Sequence, residues 1–171
     1  NHTYTLAHIV TAKFWQNVKE NGLHLTVAET GWGKASWGKI YGQWLCGCGV
    51  MVYDFDIFSP EKLLKVIEDF KVTSFCAPPT VYRYFIKKDM KKFDLSHLEH
   101  ITTAGEALNP EVFEQVHKQT GLQIMEGFGQ TESVLMLGNL VGSTAKIGSL
   151  GKPTPLYNIM IADNELSLIH I

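Results

Sequence analysis

Three scarcities narrow the classes of protein to which this sequence can belong. It has only three cysteines, Cys46, Cys48 and Cys76, with no histidine nearby at metal-ligand spacing. A disulfide framework and a zinc site are therefore disfavoured, and we expect reduced thiols in the core. No apolar run reaches the roughly 18 residues of a membrane span, and Asn1 does not open a signal peptide. These features favour a cytoplasmic protein without a membrane span.

Basic residues are also sparse. The 15 Lys and Arg are outnumbered by 17 Asp and Glu, and they are scattered apart from short pairs such as Lys87-Lys88 and Lys91-Lys92. A nucleic-acid-binding surface is therefore not expected. What the sequence does have is length and apolar content, because 171 residues with 45% hydrophobic side chains can build the core of one ordinary domain.

The spacing of apolar residues predicts alternating helices and strands. Helices are expected over Thr5 to Val18, Pro60 to Phe70, Pro78 to Ile86 and Pro110 to Thr120, the last ending at Gly121. Strands are expected over Leu23 to Ala28, Val50 to Tyr53, Val72 to Ala77, Ile101 to Ala104 and Leu122 to Met125. This order indicates an α/β fold, a layered and mostly parallel sheet with flanking helices.

Two predicted loops follow neighbouring strands, Ala104 to Ala107 and Glu126 to Glu132. Ligands of such sheets bind beyond the carboxyl ends of the strands, so the two loops should lie side by side. In the second loop, Gly127 and Gly129 would allow a tight turn and a close ligand. Thr131 can hydrogen-bond a phosphate, and Glu132 offers the oxygen ligand that Mg²⁺ prefers. The segment is either a site for a magnesium nucleotide or an ordinary surface turn.

Several residues also have a purely structural interpretation. Glu106 could belong to the entry of the helix that begins at Asn109-Pro110, and Phe128 could be a core residue. The tryptophans Trp32, Trp37 and Trp44 could be buried packing residues, which is the preferred interpretation for Trp44. Lys34 and Lys39 could simply be solvated.

Five sequence blocks together resemble the adenylate-forming enzymes. They are TGWGKASWGKIYGQW (30–44), FCAPPTVYR (75–83), TAGEALNPEVF (103–113), MEGFGQTES (125–133) and GSLGKPTPLY (148–157). The likeness covers about residues 2 to 163 and is strongest to AMP-forming acyl-CoA synthetases of the medium-chain or branched-chain type. It implies that residues 1–171 are a single partial domain, the central part of the AMP-binding N-terminal domain.

The resemblance implies a two-step reaction. ATP and a carboxylic acid would give an acyl-adenylate, from which the thiol of CoA displaces AMP. Thr131 and Glu132 match the catalytic positions, with Glu132 as the ligand of Mg²⁺ and Thr131 beside the α-phosphate. The nucleotide-binding positions are Gly105, Glu106, Ala107, Glu126, Gly127, Phe128, Gly129, Gln130 and Thr131.

The resemblance also assigns an acyl pocket to Trp32, Gly33, Lys34, Ala104 and Gly129. In acetate-using relatives, the position of Gly129 holds a tryptophan that closes the pocket. Glycine should leave that volume open, so we expect medium-chain, branched or aromatic acids as substrates. Luciferase-like oxygenation and carrier-protein loading use the same fold, but the blocks around Trp32 and Cys76 favour the CoA-ligase branch.

The family's Ser/Thr/Gly-rich loop ending in Pro-Lys would precede Asn1. Its ribose-binding Asp, hinge and C-terminal catalytic lysine would follow Ile171, and Leu166 to Ile171 departs from the family's Gly-Glu-Leu continuation. We therefore expect the chain to be an inactive fragment of a ligase. The alternative is a catalytically inactive nucleotide-binding or structural remnant.

Overall fold

The computed structural model describes residues 2–37, 40–165 and 167–168, without the side chains of residues 36 and 37. The expectations for the Trp37 side chain, for Lys39 and for most of the segment from Leu166 to Ile171 fall outside these residues. In the part that is described, a single sheet organises the chain and carries helices on both faces.

The sheet has the strand order β2-β1-β3-β4-β5-β6-β7. The strands are β1 Leu23–Thr26, β2 Gly49–Met51, β3 Ser74–Cys76, β4 His100–Thr103, β5 Ile124–Gln130, β6 Val134–Gly138 and β7 Lys152–Pro153. The pairs among β1 to β5 are parallel, whereas β6 and β7 add to one edge in antiparallel orientation. The predicted α/β architecture is confirmed, and the antiparallel edge was not predicted.

The described part of the chain has six α-helices, of which α1 precedes β1 and the other five lie between β1 and β5 in the sequence. They are α1 Thr3–Ile9, α2 Gly33–Trp37, α3 Tyr41–Leu45, α4 Pro60–Asp69, α5 Pro79–Phe85 and α6 Pro110–Thr120. The Ser59 hydroxyl accepts a hydrogen bond from the Lys62 backbone N–H at 3.3 Å and caps α4. The side chain of Asn109 caps α6 in the same way. Helix α6 ends at Gly121 as predicted, because this residue adopts a left-handed φ of 76°.

The first helix differs from its prediction. Helix α1 continues as a π-helix over Val10–Trp15 and does not reach Val18. The wider π-helical turn changes the angular spacing of side chains, so the period of 3.6 residues no longer identifies the inner face. Leu6 and Phe14, expected on that face, are exposed, whereas His8 and Trp15 are fully buried.

The central parallel strands β1, β3 and β4 are almost entirely buried, which requires cover on both faces of the sheet. Helices α4, α5 and α6 cover one face and contribute Leu64, Phe85 and Val116 to the main hydrophobic cluster, while Trp15 packs on the other face with Cys76. Double coverage is the expected environment of a parallel sheet. All three cysteines are free; Cys48 and Cys76 are buried as predicted, and Cys46 is half-buried. No described helix is long and apolar enough to cross a membrane.

Candidate functional site

A cavity of about 720 Å³ opens where β4 ends, beside the second half of β5. This volume is in the range of small-molecule sites. It brings together all of the predicted nucleotide-binding residues and Glu132, and its lining is Trp32, Gly105, Glu106, Ala107, Leu108, Glu126, Gly127, Phe128, Gly129, Gln130, Thr131, Glu132, Gly148 and Leu150. Leu108, Gly148 and Leu150 were not predicted, although Leu108 lies in the third of the five sequence blocks and Gly148 and Leu150 lie in the last.

The loop after β4 forms one wall of this cavity, and its shape depends on Gly105. Gly105 has a φ of +105°, and a Cβ there would lie 3.0 Å from a ring carbon of Trp32. Glycine is therefore needed both for the backbone conformation and for close packing. Trp32 is 43% exposed and faces the cavity, so it is not the buried residue considered as an alternative. The preferred burial of Trp44 is wrong, because this side chain lies on the surface and is 65% exposed.

The carboxylate of Glu106 turns away from the cavity toward α5. It accepts hydrogen bonds from the Thr80 hydroxyl at 2.5 Å and from an Arg83 guanidinium nitrogen at 2.6 Å. The Thr80 hydrogen bond, together with the pairing to Arg83, holds the pKa of Glu106 below its ordinary value. Glu106 therefore anchors its loop to α5, and the cap of α6 is Asn109 rather than Glu106.

Glu126 ties the two walls of the cavity together. This buried β5 residue accepts a hydrogen bond on Oε1 from the backbone N–H of Leu108 at 3.0 Å. Burial raises the pKa of the Glu126 carboxyl, and the Leu108 hydrogen bond partly opposes that rise. On the other side, the Asn139 backbone N–H donates to the Glu126 carbonyl at 3.0 Å. Glu126 thus fixes the separation of the loop and the strand.

The expected tight turn at Gly127 and Gly129 is wrong. Both residues lie in β5, which β6 extends by antiparallel pairing, and neither has a positive φ. A Cβ on Gly127 would lie 2.8 Å from the Trp15 ring, and one on Gly129 would collide with the Val134 carbonyl. These glycines therefore make room for protein neighbours rather than for a turn.

The five residues assigned to the acyl pocket lie partly outside the first cavity, and the structure contradicts one expectation about them. The volume that a Gly129 side chain would occupy is already filled by the Val134 backbone, so the expectation of open space there is wrong. Lys34 is buried, not solvated: its ammonium donates to the Ala104 carbonyl at 3.2 Å and lies 5.3 Å from the centre of the Trp32 ring. Gly33, Lys34 and Ala104 do not line the cavity, and of the five residues only Trp32 and Gly129 do.

Thr131 and Glu132 occupy the turn between β5 and β6 at one end of the cavity, and both are exposed. Within the described ranges, no group of three or more His, Cys, Asp or Glu side chains could enclose a metal ion. A metal here would be held by Glu132 together with phosphate oxygens of a ligand. This is how proteins usually bind Mg²⁺, so the donor set fits that ion.

A second cavity of about 990 Å³ lies beyond the end of β1 and shares Trp32 with the first. Its lining is mostly apolar or aromatic and consists of Leu25, Thr26, Val27, Ala28, Glu29, Thr30, Gly31, Trp32, Val52, Tyr53, Asp54, Phe55 and Pro78. Trp32 therefore stands between two spaces, one beside the Gly105 loop and one beside β1.

Sequence comparison places these features among known proteins. A family model described as AMP-binding enzyme matches residues 1–170. A curated relative, the mitochondrial acyl-coenzyme A synthetase ACSM3 of Mus musculus, is 38% identical over 167 residues. The match covers 96% of this chain and 29% of that protein, so the chain spans less than a third of its relative's length. The relative is mitochondrial by name, and the cytoplasmic location expected from the sequence is not confirmed.

Solved structures share the fold. An acyl-CoA synthetase of Brucella canis superimposes with a TM-score of 0.88 at 24% identity, covering 97% of this chain and 31% of that one. The anthranilate CoA ligase AuaEII, solved in complex with anthranoyl-AMP, also gives 0.88, at 25% identity over 98% of this chain and 32% of that one. The predicted fold, a mostly parallel α/β sheet with flanking helices, is thereby confirmed as one that acyl-CoA synthetases share.

Proposed function

We propose that this chain, which belongs to the family of AMP-binding enzymes, is the nucleotide-binding part of an AMP-forming acid–CoA ligase. The observation that carries the proposal is the first cavity, in which the Gly105 loop and β5 face each other and Glu132 lies at one end. A planar base fits between two such walls, and a carboxylate at the end suits a phosphate-bound cation.

The adenine of ATP is assigned to the space between the backbone of Gly105 to Ala107 and the β5 residues Gly127 and Phe128. The Phe128 ring is 38% exposed and lies in the cavity lining, where it can contact the face of a base. Two contacts keep this slot at a fixed width: Glu126 holds Leu108, and Arg83 holds Glu106. A slot of fixed width binds a flat ligand at a lower entropic cost.

The phosphates are assigned to the end of the cavity at Thr131 and Glu132. Three acidic residues line this cavity, but the carboxylate of Glu106 is paired with Arg83 and that of Glu126 is bonded to Leu108. Glu132 is therefore the carboxylate left to hold Mg²⁺, which would offset the negative charge of the phosphates. The Thr131 hydroxyl can donate to an α-phosphate oxygen.

The proposed reaction begins when the carboxylate of the acid attacks the α-phosphorus of ATP and pyrophosphate leaves. The thiol of CoA then attacks the acyl carbon of the adenylate, and AMP leaves. Both steps bring anions together, so fixed donors and countercharge around the phosphates supply most of the catalytic advantage.

The substrate is proposed to be a medium-chain, branched or aromatic acid. Gly129 no longer supports this choice, but the second cavity does, because its roughly 990 Å³ lie directly beyond Trp32. Each buried methylene would add about 0.8 kcal/mol. The similar ligase AuaEII was solved in complex with anthranoyl-AMP, the adenylate of an aromatic acid, which agrees with a ring-sized space.

The test uses the full-length protein that carries this chain. Acids of two to ten carbons, with branched and aromatic members, are supplied with ATP, Mg²⁺ and CoA, and mass spectrometry follows AMP and acyl-CoA. We expect acid-dependent AMP and acyl-CoA, with acetate a poor substrate. Nucleotide binding without either product would favour the inactive remnant, and a preference for acetate would overturn only the substrate class. Fractionation of cells shows whether the protein is cytoplasmic or mitochondrial.

A further inference from the structure

The turn that presents Glu132 is fixed on both sides by tyrosine hydroxyls. Tyr4, in α1, donates from its hydroxyl to the carbonyl of Thr131 at 2.7 Å. Tyr157, which follows β7, donates from its hydroxyl to the carbonyl of Ser133. The two carbonyls that accept these bonds belong to the residues immediately before and after Glu132. Segments 127 residues upstream and 24 residues downstream of the turn thus meet at it.

The turn does not rely on these tyrosines for its own closure. The backbone N–H of Ser133 donates to the Gln130 carbonyl at 3.1 Å, and the Ser133 hydroxyl accepts from the Gln130 N–H at 3.3 Å. The β5 and β6 pairing holds its two ends. The hairpin is closed by its own hydrogen bonds, so the two tyrosine hydrogen bonds are not needed for closure. Their effect is instead on the orientation of the peptide groups next to Glu132.

Tyr4 is itself held firmly. Its ring meets the edge of the buried His8 ring with centroids 4.7 Å apart, and His8 in turn lies 5.6 Å from Tyr41. Burial, followed by the nearby Tyr41, Tyr157 and Glu132, raises the pKa of the Tyr4 hydroxyl. The hydroxyl therefore keeps its proton, and remains a donor, throughout the physiological pH range.

We propose that Tyr4 and Tyr157 are positioning residues that orient Glu132 toward the metal-bound phosphates. The inference rests on the proposed function, because it assumes that Glu132 carries the metal. A rigid support of this kind matters since a functional carboxylate must be held within about half an ångström of its working position. Without the hydroxyls, the Thr131 to Ser133 peptides could rotate and Glu132 would hold the cation less well.

The test measures metal binding directly. In the full-length protein, binding of Mn²⁺ in the presence of a non-hydrolysable ATP analogue is followed by electron paramagnetic resonance. Tyr4→Phe and Tyr157→Phe each remove one hydroxyl and keep the ring. We expect each to raise the Kd for Mn²⁺ about fivefold, the effect of one ordinary hydrogen bond. Tyr84→Phe, at an exposed ring on α5, is the control and should leave the Kd unchanged.

A double-mutant cycle separates positioning from general stabilisation. In a Glu132→Gln background, where the metal ligand is already lost, Tyr4→Phe should cause no further change in Mn²⁺ affinity. An equal effect in both backgrounds, a wild-type Kd in both Phe variants, or loss of folding in both would overturn the inference. The proposed function fails separately, if the unmodified protein forms no acid-dependent AMP.

Discussion

The Glu126 carboxylate and the Leu108 backbone N–H, 3.0 Å apart, join the two walls of the candidate nucleotide cavity. Glu126 is buried in β5 and Leu108 belongs to the loop after β4. The bond spans 18 residues of sequence, and it couples the position of the Gly105 loop to the strand that faces it.

Glu126→Ala should weaken nucleotide binding, because the loop loses its tie to β5. A hydrogen bond to a charged group contributes about 1.5–3 kcal/mol, so a loss of tenfold or more in ATP affinity is expected. Glu126→Gln keeps a carbonyl oxygen as acceptor and should lose much less. Titration calorimetry with ATP on both variants of the full-length protein checks this. Equal ATP affinity of the alanine variant and the unmodified protein would show that the bond does not contribute to nucleotide binding.

Glu132→Ala should remove the metal ligand from a site crowded with phosphate charge. We expect at least a hundredfold loss of acyl-adenylate formation and a higher Mg²⁺ requirement, in line with the loss of one preorganised electrostatic group. Glu132→Asp should retain part of the activity. Glu114→Ala, at an exposed position of α6, is the matched control. If Glu132→Ala formed acyl-adenylate at the rate of the unmodified protein and with the same Mg²⁺ dependence, the assignment of Glu132 as the metal ligand would be contradicted.

Gly129→Ala should destabilise the fold, because the new methyl group collides with the Val134 carbonyl across the β5–β6 hairpin. Overpacking of this kind costs about 1–3 kcal/mol. Gly31→Ala is the control, since a Cβ there meets nothing within 4 Å. Urea unfolding gives the free energy of unfolding of both variants. Equal values would contradict the collision with Val134 and support the open volume first expected at Gly129.

His8 should make stability depend on pH. Burial lowers the pKa of His8 to about 4, below its ordinary 6.5. Between these values the unfolded chain binds more protons than the folded one, so stability is complete above pH 6.5 and falls as the pH drops toward 4, by up to about 3 kcal/mol. His8→Gln should flatten this part of the profile of unfolding free energy against pH. The same slope in His8→Gln would assign the effect to other groups.

The periodicity of apolar residues was sufficient to predict most helices and strands of the parallel part of the sheet. Helix α6 was predicted to the residue, since Asn109, Pro110 and Gly121 mark its ends locally. The β5–β6 hairpin was missed because Gly127 and Gly129 are typical of turns, and only the partner strand shows that they are extended. The course of α1 was missed because a π-helix has no simple apolar period.

In the candidate site, too, some features were predictable from the sequence and others were not. Most residues that line the first cavity had been singled out through sequence blocks that lie next to strand ends, whereas Leu108, Gly148 and Leu150 had not. The roles of single side chains were not, because they depend on distant partners. Glu106 bonds to Arg83 on α5, and Lys34 is buried against the Ala104 carbonyl. No local pattern around Glu106 or Lys34 specifies those partners.

The most direct measurement is a crystal structure of the full-length protein with a non-hydrolysable acyl-adenylate analogue. The proposed function predicts adenine between the Gly105–Ala107 backbone and Phe128, phosphate-mimicking atoms at Thr131, and the acyl group on the far side of Trp32. Adenine bound in the cavity beside β1, or elsewhere on the molecule, would contradict the assignment of the first cavity as the nucleotide site.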